Sequence, residues 1–205
     1  MVRLLMMVVL LIAGCAVNEN SVVKITSNGN TGSGVVIKKF GNRYWIATAD
    51  HVICFGGWKV NGEESADPMD YKGYIKLGDA AIISIVTKTS YTPLPMATAR
   101  VGDEVRLFGY PGAMQGVLAC TQGHVSATLS TLFDAKMWYD GGCAPGFSGG
   151  PIVDKFGRVV GIASSVYMSK VERDNHYYYL PFDSVLLCIP SEIFEGLMLG
   201  IGSEY

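Results

Sequence analysis

Three residues of types that can act together as a catalytic unit are His51, Asp79 and Ser148. A serine hydroxyl is a poor nucleophile at neutral pH unless a base lies within hydrogen-bonding distance. Histidine commonly supplies that base, because its pKa lies near neutrality, and a buried carboxylate commonly orients it. The sequence therefore offers one candidate each for the nucleophile, the base and the orienting acid of an acyl-transfer reaction.

Ser148 lies in a glycine-rich segment, PGFSGGP at 145–151, which the apolar residues 152–153 follow. Glycines on both sides of a serine allow a tight backbone that a substrate can approach closely. Such a turn can direct the amides of Gly146 and Ser148 towards one point, where they would form an oxyanion hole. The alternative is a glycine-rich surface turn that carries an ordinary serine.

His51 and Asp79 each lie at one end of an apolar segment. His51 follows the strand-like run at 45–49, and Asp79 leads into AAIISI at 80–85. A carboxylate next to a buried strand needs a partner, because an unpaired buried charge is costly. Taken singly, each has a more common explanation. His51 could be a buried structural histidine, and Asp79 could be a turn aspartate beside Gly78. Their combination with Ser148 favours catalysis.

Short apolar segments separated by turn residues must position these three side chains. Alternating or β-branched runs predict strands at 21–26, 34–38, 43–48, 73–77, 80–86, 105–110, 117–128, 151–153 and 158–166. Many short strands with frequent turns favour a barrel or a sandwich. A C-terminal helix is predicted over 192–199, with Ser191 as its cap. The Thr/Pro/Ser-rich stretch 87–98 is the expected boundary between two halves.

The composition indicates a chain that can bury a sizeable core. Of the 205 residues 49% are hydrophobic and 17% are charged, and the formal net charge is −2. These values are not those of a disordered chain. No cluster of Lys and Arg indicates a nucleic-acid surface, so nucleic acid is not an expected partner. No Cys/His spacing matches a zinc site, and we predict neither a metal nor a cofactor.

The first fourteen residues have the pattern of an export signal. A short basic start precedes an apolar run at 4–13, which is too short to span a bilayer comfortably. IAGC at 12–15 resembles a bacterial lipobox, in which the signal is cut before the cysteine and that thiol is acylated.

We predict a lipoprotein-type signal peptide over 1–14, a short tether over 15–21, and a lipid anchor on Cys15. The protein would then be exported and held at a membrane surface of the cell envelope, on the periplasmic side or at the cell surface. An ordinary signal peptide or an uncleaved anchor are the alternatives.

Four cysteines remain beyond Cys15, namely Cys54, Cys120, Cys143 and Cys188. In an exported protein they permit three complete disulfide pairings, and free thiols are an equally open interpretation.

The segments around the three candidate residues resemble those of trypsin-like serine peptidases of the chymotrypsin fold, in the same order along the chain. The resemblance is closest to the protease domain of the bacterial HtrA/Deg branch, and it runs from about residue 22 to 166. The matching segments are GSGVVI (32–37), ATADHVI (47–53), DAAI (79–82), VGDEVRLFGYP (101–111), GFSGGP (146–151) and GRVVGI (157–162). The serine segment is the most specific of them. The residues after Ser148 are too few to hold a PDZ domain as well as the rest of the barrel.

This resemblance implies an all-β fold of two six-stranded antiparallel β-barrels with a short C-terminal helix. The peptidase domain would cover 22–205, with lobe 1 at about 22–87 and lobe 2 at about 99–190. The active site would lie between the lobes. His51 would take the Ser148 proton during attack, and Asp79 would hold the imidazole tautomer.

The resemblance also implies the elements that support the site and bind a polypeptide substrate. Ser164 matches the serine that donates a hydrogen bond to the catalytic aspartate. The strand formed by Ser164, Ser165 and Val166 would pair with the substrate backbone. Gly142 stands where a trypsin-type primary pocket carries its acid, and Cys143 follows it.

Several details of this segment leave the substrate preference open. Asp140 lies close to Gly142, so a shifted register would restore a preference for basic residues. Val166 would narrow the pocket mouth, and we expect cleavage after small or medium apolar residues. Phe147 replaces the aspartate of zymogen-activated members and the asparagine usual in the HtrA/Deg branch. Activation by a freed N-terminus is therefore not expected, and the form of the oxyanion loop is open.

The sequence thus predicts a serine endopeptidase that forms an acyl-enzyme on Ser148. An alternative from another class is a protease-fold binding protein without turnover, which Phe147 keeps open. A hydrolase of esters would share the same chemistry.

Overall fold

The structure is a computed structural model that describes residues 17–64, 74–130, 135–173 and 176–200. The predicted signal peptide and Cys15 lie outside these ranges. Within them no helix is both long and apolar enough to span a membrane.

The first lobe is an antiparallel sheet of seven strands. A one-turn helix, α1 (Asp50–Ile53), follows the third of them. The strands are β1 (Val22–Ser27), β2 (Asn30–Phe40), β3 (Arg43–Ala49), β4 (Trp58–Val60), β5 (Glu63–Glu64), β6 (Tyr74–Leu77) and β7 (Ala80–Val86), hydrogen-bonded in the order β5-β4-β1-β2-β3-β7-β6.

This lobe differs from the prediction of a closed six-stranded barrel. Among the described residues no ladder joins the two edge strands, so the sheet is an open half-barrel. Within the described residues its edge strands β5 and β6 have two and four residues, which offer few backbone groups with which to close a sheet.

The second lobe is a closed barrel of six antiparallel strands, which confirms that half of the prediction. The strands are β8 (Glu104–Gly109), β9 (Ala119–Ser130), β10 (Ala135–Tyr139), β11 (Pro151–Asp154), β12 (Val159–Arg173) and β13 (His176–Pro190), in the order β10-β13-β12-β11-β8-β9. The β12–β13 hairpin is longer than the strand predicted at 158–166, since its ladder continues to the pair Arg173 and His176.

A hydrophobic cluster shared by both lobes joins the two sheets. Trp45 and Ile82 come from the first lobe, Val159 and Ile162 come from the second, and Phe194 comes from the C-terminal helix α2 (Ser191–Gly200). The short C-terminal helix is thereby confirmed, and it packs between the lobes rather than on the outside of one of them.

The connector between the lobes is hydrogen-bonded to both of them. The Leu94 amide donates to the Val36 carbonyl of β2 at 2.9 Å, and the Ala97 amide donates to the Val159 carbonyl of β12 at 2.8 Å. The Ser191 hydroxyl donates to the Ala97 carbonyl at 2.6 Å, so this predicted cap residue fixes α2 to the connector.

The first described residues also pack on the fold. Val17 is buried in the shared cluster, and Glu19–Ser21 form a 3₁₀ turn. Residues 17–21, which fall within the predicted tether, are therefore part of the packed structure.

Candidate active site

The β3–β7 ladder brings His51 and Asp79 together. Because Ala49 pairs with Ala80, the residues just after β3 and just before β7 meet at the same end of the sheet. The His51 Nδ1 atom lies 3.0 Å from each carboxylate oxygen of Asp79, and the His51 amide donates to Asp79 Oδ1 at 3.0 Å. Asp79 thus holds His51 through both its ring and its backbone amide.

Two serines of the second lobe reach the same point. The Ser164 hydroxyl donates a hydrogen bond to Asp79 Oδ2. The Ser148 hydroxyl donates to the Ser164 carbonyl at 3.4 Å, and among the described residues it makes no hydrogen bond to His51. The four side chains are therefore gathered between the lobes, and the bond that would activate Ser148 is not formed in this conformation.

The carboxylate and the imidazole shift each other's pKa. The hydrogen bond to Asp79 raises the pKa of His51, burial opposes this, and the charges of Asp79 and Asp50 add to the increase. Burial by itself would raise the pKa of Asp79, but hydrogen bonds from His51 and Ser164 outweigh it and lower that pKa. At neutral pH the Asp79 carboxylate is therefore ionised and accepts from the His51 ring.

The turn around Ser148 has a backbone that only glycine tolerates at two positions. Gly146 has φ +105°, and a Cβ there would lie 2.4 Å from the Tyr110 carbonyl oxygen. Gly149 has φ +82°, and a Cβ there would lie 2.1 Å from the Ser33 carbonyl oxygen. Within the described part of the chain the amides of Gly146 and Ser148 have no hydrogen-bond acceptor. Those two amides were the candidates for an oxyanion hole.

The Phe147 side chain is buried in the core of the second lobe. It packs in the cluster that contains Leu107, Tyr139 and Ile152. Phe147 therefore anchors the turn by apolar packing.

The candidate pocket segment is fixed by hydrogen bonds to β9. The Thr121 hydroxyl donates to the Gly142 carbonyl at 2.7 Å and lies 2.9 Å from the Tyr139 hydroxyl. The Asp140 carboxylate accepts a hydrogen bond from the His124 amide at 2.6 Å, so one of its oxygens already has a partner within the protein. Burial raises the pKa of the half-buried Cys143 thiol, which favours its neutral form.

The four cysteines Cys54, Cys120, Cys143 and Cys188 are all free thiols. Burial raises the pKa of Cys188 well above its ordinary value.

The candidate substrate strand has an open edge beside Ser148. β12 pairs with β11 only as far as Ile162, whereas Ser165 and Val166 pair with β13 on the other side. Within the described residues no strand covers the first edge from Ser164 onwards. Ser165 is exposed, and the Val166 side chain, predicted to narrow the pocket, lies outside the described atoms.

The sequence did not single out the side chains of Ser33 and Thr48, which also border the Ser148 turn. Both are fully buried, and the Thr48 hydroxyl donates to the Ser33 carbonyl at 2.7 Å. A signal was present for Thr48, a polar residue inside the apolar run WIATA at 45–49, whereas Ser33 lies between glycines in a strand of mixed polarity.

A family model described as the trypsin-like peptidase domain matches residues 32–162, which is more than half of the chain. The chain belongs to this family. The match confirms the family predicted from the sequence motifs.

Two relatives of this trypsin-like peptidase are serine proteases of the HtrA type. The chain is 27% identical over 176 residues to a "Serine protease HtrA-like" of Staphylococcus epidermidis, covering 73% of this chain and 29% of that protein. It is 30% identical over 149 residues to "Serine protease Do-like HtrB" of Bacillus subtilis, covering 64% and 32%. The chain thus spans about three-tenths of the length of each relative.

Solved structures of similar proteins have the same fold. The inactive form of the Ser343Ala mutant of Rv3671c from Mycobacterium tuberculosis H37Rv superposes with a TM-score of 0.65 at 23% identity, covering 90% of this chain and 88% of that one. The HtrA-type protease AlgW with a decapeptide has a TM-score of 0.68 at 17% identity, covering 92% and 66%.

Proposed function

We propose that this trypsin-like peptidase is an active serine endopeptidase that hydrolyses peptide bonds through an acyl-enzyme on Ser148. The observation that carries the proposal is the hydrogen-bonded chain from Ser164 through Asp79 to the His51 ring, with Ser148 beside it. A carboxylate on Nδ1 keeps that nitrogen protonated, which leaves Nε2 free to accept a proton.

The reaction requires the Ser148 hydroxyl to change its hydrogen-bond partner. The hydroxyl leaves the Ser164 carbonyl and donates to His51 Nε2. As the Ser148 Oγ atom bonds to the scissile carbonyl carbon, its proton moves to His51. The amides of Gly146 and Ser148 then donate hydrogen bonds to the negatively charged carbonyl oxygen. His51 then gives the proton to the leaving amine, and water hydrolyses the acyl-enzyme by the reverse sequence.

The expected substrates are extended polypeptides. The open edge of β12 from Ser164 onwards supports pairing with a substrate backbone. Gly142 places no charged side chain in the pocket segment, and Asp140 is bound to the His124 amide. We therefore expect cleavage after small or medium apolar residues, and equal turnover of Lys/Arg and Val/Ala/Leu peptides would contradict this preference.

A second candidate is a binding protein of the same fold without turnover. The hydrogen bond from Ser148 to the Ser164 carbonyl, in place of one to His51, favours it. Such a protein would keep its biological effect as a Ser148→Ala variant.

A fluorophosphonate probe distinguishes the two candidates. The Ser148 oxygen displaces fluoride from phosphorus and loses its proton to His51, so only an activated serine is labelled. We expect labelling of the full-length protein at Ser148, located by peptide mapping, and none in the His51→Ala variant. A folded wild-type protein that takes no label would favour the binding role.

We also propose that the protein is exported and anchored to the cell envelope through acylated Cys15. The IAGC sequence after a short apolar run supports this. The full-length protein should enter the detergent phase in Triton X-114, and the Cys15→Ser variant should stay in the aqueous phase. Equal partition of the two proteins would argue against the anchor.

A further inference from the structure

Ser33 of β2 contacts the turn that carries Ser148 across the boundary between the lobes. Its amide donates to the Ser148 carbonyl at 2.7 Å, and its hydroxyl donates to the Gly146 carbonyl at 2.7 Å. The same hydroxyl accepts from the Tyr110 amide at 2.9 Å. A serine hydroxyl has a single proton, and here the Gly146 carbonyl accepts it.

Each of the four consecutive carbonyls of residues 145–148 accepts a hydrogen bond. The carbonyl of residue 145 accepts from the Gly112 amide at 3.0 Å, and that of residue 147 accepts from the Gly150 amide at 2.8 Å. The carbonyls of residues 146 and 148 accept from the hydroxyl and the amide of Ser33. One buried residue therefore holds half of the carbonyls in the turn.

These carbonyl bonds determine where the free amides point. A trans peptide directs its N–H opposite to its C=O, so fixing a carbonyl also fixes the amide of the next residue. The two free amides, those of Gly146 and Ser148, belong to the first and third peptides of the turn. By this rule the Gly112 and Gly150 bonds orient the two free amides directly. The Ser33 hydroxyl holds the peptide that links them, so its bond helps to fix the angle between the two amides.

The amide of this peptide, that of Phe147, donates to the Ala144 carbonyl at 3.1 Å within the turn. Gly146 has no Cβ and a φ of +105°, so the backbone on either side of it rotates more freely than that of other residues. Outside the turn itself, the Ser33 hydroxyl is the group that bonds to the Gly146 carbonyl among the described residues.

We propose that Ser33 is a positioning residue, whose hydroxyl holds the amides of Gly146 and Ser148 convergent on one oxygen of the transition state. The inference rests on the proposed peptidase function. Ser33 acts through the turn and does not contact the substrate, so its removal should slow the chemical step and leave substrate binding little changed.

The test compares Ser33→Ala with Ser191→Ala in the full-length protein. Ser191 is a matched control because it is also a fully buried serine, and its hydroxyl donates to a backbone carbonyl, that of Ala97, at 2.6 Å. The measured quantities are the maximal rate of fluorophosphonate labelling, the probe concentration at half that rate, and the thermal midpoint.

Both variants should lose thermal stability, because each leaves a backbone carbonyl without its hydroxyl donor. Ser33→Ala should lose somewhat more, because it also leaves the Tyr110 amide without its acceptor. Ser33→Ala alone should lower the maximal labelling rate, by roughly 10-fold or more, since the loss of one oxyanion donor costs about 10²–10³. The half-saturating concentration should stay near that of the wild type. A rate equal to that of Ser191→Ala, or a loss confined to the half-saturating concentration, would overturn the proposal.

Ser33→Cys provides a second variant in case Ser33→Ala does not fold. A thiol fills the site and is a weaker donor than a hydroxyl, so the maximal rate should fall. A wild-type rate in this variant would also refute the role of the hydroxyl. If the wild-type protein itself takes no label, the proposed function fails first, and the two failures are therefore distinguishable.

Discussion

At the scale of single residues, the His51–Asp79 pair has the most direct chemical consequence. Its hydrogen bond stabilises the protonated imidazole, which raises the pKa of His51 above its ordinary value of 6.5. A general base is active only when it is neutral. The same bond that orients the ring therefore moves the onset of activity to higher pH.

The pH dependence of labelling should reveal this shift. In the wild type the rate at low probe concentration should rise with pH through a midpoint above 6.5, as His51 loses its proton. In Asp79→Asn the midpoint should move to lower pH, because the cause of the increase is removed. The rate above the midpoint should also fall on the order of 10⁴-fold, because the tautomer is no longer held.

Asp50→Asn is the matched control for this experiment. The Asp50 carboxylate also raises the pKa of His51, but it is the smallest of the contributions and does not bond to the ring. Its removal should shift the midpoint slightly in the same direction and leave the upper rate intact. A wild-type midpoint at or below 6.5, or one unmoved in Asp79→Asn, would contradict the assigned electrostatics.

The sequence predicted residues whose chemical type is distinctive, and it missed those whose role depends on register. His51, Asp79 and Ser164 lie where their motifs suggested, next to one another. Ser33 appeared only as part of a glycine-containing strand. Its hydroxyl meets Gly146 because β2 passes beside the Ser148 turn, a contact between residues 113 positions apart. No local pattern encodes such a contact.

At the scale of elements, the turn at 145–149 is stabilised from two sides. Ser33 holds its carbonyls, and Phe147 anchors it in the core of the second barrel. The departure of Phe147 from the family pattern is therefore compatible with an ordered turn, because the buried aromatic ring anchors the turn by apolar packing.

Phe147→Ala should destabilise the protein by about 3–5 kcal/mol, because it removes a buried aromatic side chain and leaves a cavity under the turn. Phe40→Ala is the control, since Phe40 is 61% exposed at the end of β2 and should change stability by no more than about 0.5 kcal/mol. Urea denaturation measures both values. Equal effects of the two substitutions would show that packing of Phe147 does not anchor the turn.

Strand prediction succeeded for the β-branched and apolar runs, the edge strand β6 included, and missed β4, β5, β10 and β13. The strands predicted at 43–48 and 80–86 correspond to β3 and β7, which lie inside the first sheet. The open edge of that lobe was not predicted, because closure depends on strand length and stagger rather than on the apolar pattern of any one strand.

At the scale of the whole molecule, the two lobes are not independent units. The connector bonds to both, Ser164 of one lobe bonds to Asp79 of the other, and α2 buries Phe194 in the cluster that they share. The site requires this arrangement, since His51 and Ser148 belong to different lobes. We therefore expect the lobes to unfold in a single transition.

Phe194→Ala tests this coupling. Phe194 is fully buried, and its truncation should cost about 3–5 kcal/mol while unfolding remains a single transition. Leu199→Ala is the control in the same helix, because Leu199 is 85% exposed and should change stability by no more than about 0.5 kcal/mol. Circular dichroism and tryptophan fluorescence should give coincident urea curves for both variants, and labelling of Ser148 should be lost over the same range. If the wild-type protein unfolds in two transitions, or Phe194→Ala costs no more than Leu199→Ala, the shared cluster does not couple the lobes.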